Sequence, residues 1–340
     1  MDLKELKLLI NKIGKDLIVE HQIGKVVFFC GAGVSKQGAN IPLFQSLLEC
    51  VLKNTDLIDY YDRDLYLKNE ENLKEEWKNR IDFIFEKLCT KYGREKIDNE
   101  IKNIIHKYPK SSNYHQSILN LSKNNNSYMI ITTNFDLLFN DNNKSIDTYK
   151  SYNMPDIFDF EKDPKIIYLH NTVSCKNIIY SESDLIQNYI VKNRNREFLL
   201  RLFEKYTIIF LGYSLQDLLV KYIVSGISDS KHYIFKCIND NNISLPKNII
   251  SIDFETYDEI EYYITLWSNL LSLSNLDKTS LFIDIMNQNP CYEFSFIIKN
   301  LSFPTKEIHK LKNQIQTTSL LEWIKYFIKK KWYQFFYNII

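Results

Sequence analysis

Residues 26–35 have the sequence VVFFCGAGVS, in which an apolar run ends at two glycines that flank an alanine. Four consecutive β-branched and aromatic residues are typical of a strand buried on both faces, and Gly31 stops the run. The turn predicts a strand followed by a helix, whose N-terminal amides and positive dipole end favour a phosphate group. Lys36 occupies the place of the third glycine in the usual dinucleotide-binding pattern, so an ordinary tight turn remains an alternative.

Further short apolar runs follow along the chain. They cover residues 128–132, 166–169, 207–211, 232–236 and 249–252. Strands of this kind, separated by helical segments, predict a doubly wound, mostly parallel Rossmann-like α/β sheet. Ligands of such sheets bind outside the carboxyl ends of the strands, and this is where the polar clusters of the chain stand.

Helical periodicity predicts the domain organisation. A domain over residues 1–270 carries a helical insertion at about 43–115 without a strand, and residues 271–340 form a C-terminal helical region. One helix is predicted from residue 2 to about residue 21. A capping box from Ser319 to Glu322 predicts a last helix, whose wide apolar face favours subunit assembly over packing within the chain.

Composition excludes several classes of protein. The 43 basic and 42 acidic residues give a net charge of +1, which argues against a dedicated nucleic-acid or membrane-surface protein. The six cysteines include no C-x-x-C pair, so no metal is expected. No secretory signal and no apolar run of membrane-spanning length are found, and scattered cysteines favour reduced thiols. We therefore expect a cytoplasmic protein without direct nucleic-acid or membrane partners.

Three polar clusters could carry chemistry. Thr133-Asn134-Phe135-Asp136 follows the second strand, although Asn and Asp are also good helix caps. His170 follows the third strand, where a histidine can equally be a hydrogen-bonded structural residue. The segment from Gly212 to Gln216 follows the fourth strand and lacks the second glycine of a nucleophile elbow, which disfavours a serine hydrolase.

In combination, the order and spacing of these clusters resemble the sirtuin-like (silent information regulator) family over roughly residues 20 to 265. The matching segments are Gly31-Ala32-Gly33-Val34-Ser35 with Ile41-Pro42-Leu43-Phe44, then Thr133-Asn134-Phe135-Asp136, Leu169-His170 and Gly212-Tyr213-Ser214-Leu215-x-Asp217. The sequences of these motifs are most similar to those of the bacterial sirtuin-like domains of anti-phage systems, which act mainly as NAD+ glycohydrolases. Lysine deacylases usually carry Gln in the place of Thr133 and a four-cysteine zinc module. The family usually has glycine after the histidine, and this chain has Asn171.

The resemblance implies roles for individual residues. Asn134 would position water or the nicotinamide ribose, Asp136 would support the nicotinamide pocket, and His170 would be the general base. The implied NAD+-binding residues are Gly31, Ala32, Gly33, Ser35, Thr133, Gly212, Ser214 and Asp217. Among these, the turn from Gly31 to Ser35 would hold the pyrophosphate.

The resemblance implies an NAD+ nucleosidase that releases nicotinamide and ADP-ribose and depletes NAD+ as an anti-phage defence effector. Its expected partners are NAD+ as substrate, further copies of the chain and a separately encoded sensor protein. Two alternatives stay open. The chain could be an NAD-dependent protein deacylase or ADP-ribosyltransferase on the same fold, or a non-catalytic nucleotide-sensing assembly module, which Asn171 keeps open.

Overall fold

The structure is a computed structural model. It describes residues 2–124, 127–141, 147–163, 165–213, 230–240, 245–273, 280–281, 283–285 and 287. The chain divides into two compact units, one formed by residues 25–262 and the other by residues 1–24 with 263–340. The predicted helix that begins near Ser319 lies outside the described residues.

The larger unit is built on a parallel sheet. The strands of the described ranges are β1 (Val26–Cys30), β2 (Leu67–Lys68), β3 (Asn72–Leu73), β4 (Lys123–Asn124), β5 (Ser127–Tyr128), β6 (Ile130–Thr132), β7 (Thr148–Lys150), β8 (Ile166–Tyr168), β9 (Thr207–Leu211), β10 (His232–Cys237) and β11 (Ile249–Phe254). Seven of them form one sheet in the order β11-β10-β9-β1-β6-β8-β7, and every pairing is parallel. The predicted doubly wound Rossmann-like sheet is confirmed.

Helices of the larger unit cover both faces of this sheet. The α-helices of the described ranges are α1 (Leu3–Ile13), α2 (Lys15–Gln22), α3 (Ala32–Ala39), α4 (Phe44–Leu52), α5 (Tyr60–Tyr66), α6 (Ile81–Tyr92), α7 (Arg94–His106), α8 (Asn113–Ser122), α9 (Leu138–Asp141), α10 (Ile157–Lys162), α11 (Glu182–Leu185), α12 (Arg194–Lys205) and α13 (Tyr257–Leu271). A π-helical segment, Ile186–Val191, lies between α11 and α12.

Alternate residues of the central strands explain the two layers. Val27 and Phe29 of β1 belong to one core cluster with Phe160 of α10 and Phe203 of α12, whereas α8 contacts β1 as well. All five residues of β1 are buried, as a strand covered on both faces requires. The apolar run that opens the first motif is therefore the centre of the core.

Strand register brings the polar clusters to one edge. Cys30, the last residue of β1, is level with Thr132 of β6 and with Leu211 of β9. Thr132 is in turn level with Tyr168 of β8. The chain leaves β1 toward β6 on one side and returns to β9 on the other, so the strand order reverses beside β1. Such a reversal opens the crevice where ligands of doubly wound sheets bind.

The helical segment between β1 and β6 has a core of its own, which includes Leu48 of α4, Phe85 of α6 and Ile101 of α7. The prediction that this segment contains no strand is wrong, because β2 and β3 pair as an antiparallel hairpin. Each strand has only two residues, too few to leave an alternating pattern in the sequence. Asn69 and Glu70 form the turn with positive φ angles of 52° and 59°.

The smaller unit begins with two helices instead of the single one predicted. Gly14 has a φ of +90° and separates α1 from α2, while the apolar spacing continues across it. Periodicity alone does not reveal such a break, because the buried residues of both helices share one pattern. In the same unit the His21 ring meets Trp267 edge-on at 4.8 Å between centroids. No helix in the described ranges is long and apolar enough to cross a membrane.

Candidate functional site

The β1 and β9 ends meet through glycine backbones. A Cβ atom on Gly33 would lie 2.7 Å from the Gly212 Cα, and one on Gly31 would lie 2.5 Å from the Gly212 oxygen. Gly212 has a φ of +57°, and a Cβ there would lie 2.3 Å from the Val34 nitrogen. Because neither side has room for a side chain, backbone approaches backbone at the reversal of strand order.

Two amides of the predicted pyrophosphate turn bond within the protein. Gly31 donates its N–H to the Leu211 oxygen, and Gly33 donates to the Gly212 oxygen, each over 2.9 Å. The N–H of Ala32, which opens α3, has no acceptor in the part of the chain that the structure describes. Ala32 therefore supplies the amide that this helix end can offer to an anion.

Side chains from two separate motifs form one buried network. Asn134 donates from Nδ2 to the Ser35 Oγ over 2.8 Å and to the Gly31 oxygen over 3.0 Å. Ser35 donates its hydroxyl proton to Asp136 Oδ2 over 2.6 Å. All three polar side chains are buried. The structure thus brings together three of the residues predicted to form the site.

The Asn134 amide has a defined orientation. Its Nδ2 faces the Gly31 carbonyl, which can only accept, so Oδ1 points to the other side of the amide. Oδ1 is buried and has no hydrogen-bond partner among the described residues. Thr132 holds the Asn134 backbone, because its hydroxyl accepts the Asn134 N–H over 3.0 Å and donates to the Cys30 oxygen. An oriented, unpaired buried acceptor at the ligand-binding edge of a sheet favours a bound donor.

Asp136 combines the two roles that the sequence left open. Its Oδ1 accepts the Leu138 N–H over 3.1 Å and so caps α9, while its Oδ2 accepts from Ser35. Burial raises the pKa of the Cys30 thiol, and the negative charge of the Asp136 carboxylate raises it further. Capping and site architecture are therefore not exclusive at this position.

Sequence reasoning missed His115, which lies on α8 with its ring fully buried. Its Nε2 lies 3.4 Å from the Ser35 Oγ. Burial lowers its pKa to about 3, so the ring is neutral. The helical pattern around this residue offers no signal for the contact, since the two residues are distant in the chain and meet only when α3 packs on α8.

His170 follows β8 and is half-buried, and its Nε2 lies 3.2 Å from the Tyr189 hydroxyl. Its ring lies 6.4 Å from that of Phe135, between centroids. Tyr189 comes from the π-helical segment, which the sequence did not single out. The contact with Tyr189 restricts the orientation of the His170 ring.

Asn171, the residue after His170, has a left-handed backbone conformation. Its φ is +61°, in the left-handed region that glycine and asparagine favour. Its Oδ1 accepts from the Ser151 N–H over 3.0 Å, and its Nδ2 donates to the Asn177 oxygen over 2.8 Å. The Asn171 side chain thus ties two loops together.

A cavity of about 390 Å³ lies beside this turn and not at the buried network. Its lining includes Asn171, Tyr152, Lys176 and Lys192, but none of the predicted site residues. Of those residues, Ser214 and Asp217 lie outside the described ranges, and Thr133 is half-buried with its N–H donated to the Cys30 oxygen. Within the described ranges, no group of three or more His, Cys, Asp or Glu side chains could hold a metal ion.

Comparison with known families gives one match. Residues 128–236 match the model of the SIR2-like domain, and this confirms the sirtuin-like resemblance over that segment. The matched segment contains Asn134, Asp136, His170 and Gly212, and it supports an NAD-related function. The comparison with curated proteins found no match to the chain.

Proposed function

We propose that this protein is an NAD+ glycohydrolase that releases nicotinamide and ADP-ribose. The observation that carries the proposal is the buried Asn134 Oδ1, which has no partner among the described residues within a segment that matches the SIR2-like domain. The glycine contact beside it supports an NAD+ site, because it lies at the strand reversal, where ligands of doubly wound sheets bind.

Hydrolysis of the bond between the ribose and nicotinamide requires few catalytic groups. Water adds to C1′ of the nicotinamide ribose, the C1′–N bond breaks, and its electron pair neutralises the departing pyridinium ring. One proton of the water must leave as the new bond forms. Positive charge grows on the ribose, so acceptor oxygens near it lower the barrier.

The chain offers a residue for each task. The Asn134 Oδ1 would accept a hydrogen bond from the attacking water or a ribose hydroxyl. Asp136, held by Ser35 and the Leu138 amide, would favour the growing positive charge. His170 would take the proton, with Tyr189 holding its ring. The Ala32 amide, with Gly212, Ser214 and Asp217, would contact the phosphates or the adenosine ribose.

The biological role that we propose is depletion of cellular NAD+ as an anti-phage defence in the cytoplasm. This role rests on the sequences of the motifs, which are similar to those of bacterial defence domains. Activation would need homo-oligomerisation, a separately encoded sensor protein, or both. Under this proposal NAD+ is a substrate, and no metal takes part.

The test is incubation of the purified protein with NAD+ and chromatography of the products. We expect nicotinamide and ADP-ribose in equal amounts, no NADH absorbance, and no change with chelators. His170→Ala is expected to abolish cleavage, whereas His106→Ala, at an exposed histidine of α7, is expected to leave it unchanged. A requirement for an acyl-lysine peptide would replace the proposal with a deacylase, and binding without turnover would replace it with a nucleotide sensor.

A further inference from the structure

The packing of α3 on α8 brings His115 to the buried network. Gly38 lies at the contact, and a Cβ atom there would stand 2.2 Å from the Ser112 Oγ and 3.0 Å from His115 Nδ1. Glycine therefore allows the two helices to approach closely. Ser35, about one turn earlier on α3, consequently lies within 3.4 Å of His115 Nε2.

The Ser35 hydroxyl has one proton and two lone pairs. The proton goes to Asp136 Oδ2 at 2.6 Å, the shortest contact that the hydroxyl makes in the network. One lone pair accepts from Asn134 Nδ2. The remaining lone pair faces His115 Nε2, so this nitrogen must carry a proton if the contact is attractive.

Neutral imidazole has a single N–H, and its position decides what the ring can do. With the proton on Nε2, His115 donates to Ser35 and leaves Nδ1 as an acceptor, which has no partner among the described residues. With the proton on Nδ1, Nε2 would compete with Asp136 for the Ser35 proton. Ser35 would then turn away from the carboxylate, and Asn134 would lose a fixed neighbour.

We propose that His115 is a positioning residue for this site: as the Nε2–H tautomer it holds the Ser35 hydroxyl on Asp136 and thereby keeps the Asn134 amide in its orientation. The inference deepens the proposed NAD+ cleavage and rests on it. His115 does not contact substrate and transfers no proton. The T-shaped contact with Phe139, at 4.6 Å between ring centroids, fixes the ring plane from the other side.

Matched variants test the donor at Nε2. His115→Gln places an amide near the Nε2 position, His115→Asn places one near Nδ1, and His115→Leu removes the polar group. We expect the Gln variant to keep kcat for NAD+ cleavage within about threefold of wild type, whereas Asn and Leu lower it by roughly 10–100-fold. Thermal melting of all three shows whether the comparison concerns folded protein. Equal losses in folded Gln and Asn variants, or full activity in Leu, would overturn the inference.

Nitrogen-15 NMR of the imidazole rings gives a readout that does not depend on turnover. The His115 signals are those that disappear in His115→Gln, among six histidines. We expect a neutral ring protonated at Nε2 near pH 7, and protonation at Nδ1 would overturn the inference even if the Asn or Leu variant fails to fold. If wild type shows the Nε2–H tautomer but cleaves no NAD+ with or without partners, the proposed function fails while the tautomer assignment stands.

Discussion

At the scale of single residues, the two ends of the Asn134 amide have different surroundings. Nδ2 bonds to Gly31 and Ser35, and Oδ1 has no partner among the described residues. A polar atom buried without a partner costs roughly 1–3 kcal/mol, so it persists where it serves binding or catalysis. Asn134 therefore has a structural task at Nδ2 and, under the proposed function, a chemical one at Oδ1.

Asn134→Ala is expected to lower kcat for NAD+ cleavage by roughly 10²–10³-fold, because one preorganised polar group near the reacting centre is lost. Asn103→Ala, at an exposed position of α7, is the matched control and should leave kcat unchanged. Product chromatography measures both. Wild-type turnover by soluble, folded Asn134→Ala would remove this residue from the mechanism.

Asn171 allows a second prediction, on stability. Asn171→Gly and Asn171→Ala both lose the bonds to Ser151 and Asn177, but alanine also strains a backbone at φ +61°. The strain of about 1–2 kcal/mol outweighs the entropy cost of glycine, so the Gly variant should unfold with a free energy about 0.5–1 kcal/mol higher than the Ala variant. Urea denaturation of the two proteins measures this difference, and the opposite order would contradict it.

Resemblance predicted Ser35, Asn134 and Asp136 because their motifs are local in the sequence. His115 and Tyr189 could not be predicted in this way. Each is an ordinary buried residue of a helix, and each gains its role from a partner on another element. Contacts of this kind depend on how α8 and the π-helical segment pack, which no spacing in one sequence specifies.

At the scale of the elements, the five buried apolar runs and β1 were predicted to within a few residues, because burial on both faces leaves a continuous apolar signature. The exception is β7, Thr148–Lys150, a three-residue edge strand that is half-buried and has no apolar run. Tyr128 was assigned to the second strand, but it pairs with Lys123 in the hairpin of β4 and β5. Short or edge strands are positioned by their neighbours more than by their own sequence.

The contact between the β1 turn and the β9 end predicts a steric effect. Gly212→Ala would place a Cβ 2.3 Å from the Val34 nitrogen. Gly93 also has a positive φ, but a Cβ there would have no atom within 4 Å, so Gly93→Ala is the control. We expect Gly93→Ala to lower the free energy of unfolding by about 1 kcal/mol and Gly212→Ala by roughly 1–3 kcal/mol more. If urea denaturation gives equal losses of unfolding free energy for the two variants, the close approach of the β1 turn to the β9 end does not add to the loss.

His232 predicts how the sheet responds to acid. It begins β10, its Nδ1 accepts the Ile208 N–H over 3.2 Å, and burial lowers its pKa from 6.5 to about 4. The unfolded chain therefore binds more protons than the folded chain in this window, and stability falls as pH falls from 6.5 toward 4.

His232→Asn retains an acceptor near the Nδ1 position but does not titrate, so it should lose less stability over this pH range. The difference between wild type and variant is expected to be about 1–3 kcal/mol. Chemical denaturation at several pH values measures it. Parallel pH curves for the two proteins would show that His232 does not contribute.

At the scale of the whole molecule, the prediction concerns residues 319–340, which lie outside the described ranges. The sequence predicts a helix there whose apolar stripe includes Trp323, Trp332 and Phe336, and this stripe favours subunit assembly. Deletion of residues 319–340 is expected to lower the oligomeric state, and NAD+ cleavage with it, while the parallel sheet stays folded. Light scattering compares the masses of both proteins, and circular dichroism verifies the fold. An unchanged oligomeric state would assign the stripe to packing within the chain.

The placement of β1 between β6 and β9 has a consequence for biosynthesis. Residues 26–30 pair with residues 207–211, roughly 180 positions later, so closing this contact carries the entropy of a very long loop. A ribosome must release both segments before Gly212 can meet Gly33. Nascent chains that end before β9 therefore lack one side of the crevice. Under the proposed function, an activity that would harm its own cell arises only after β9 has been made.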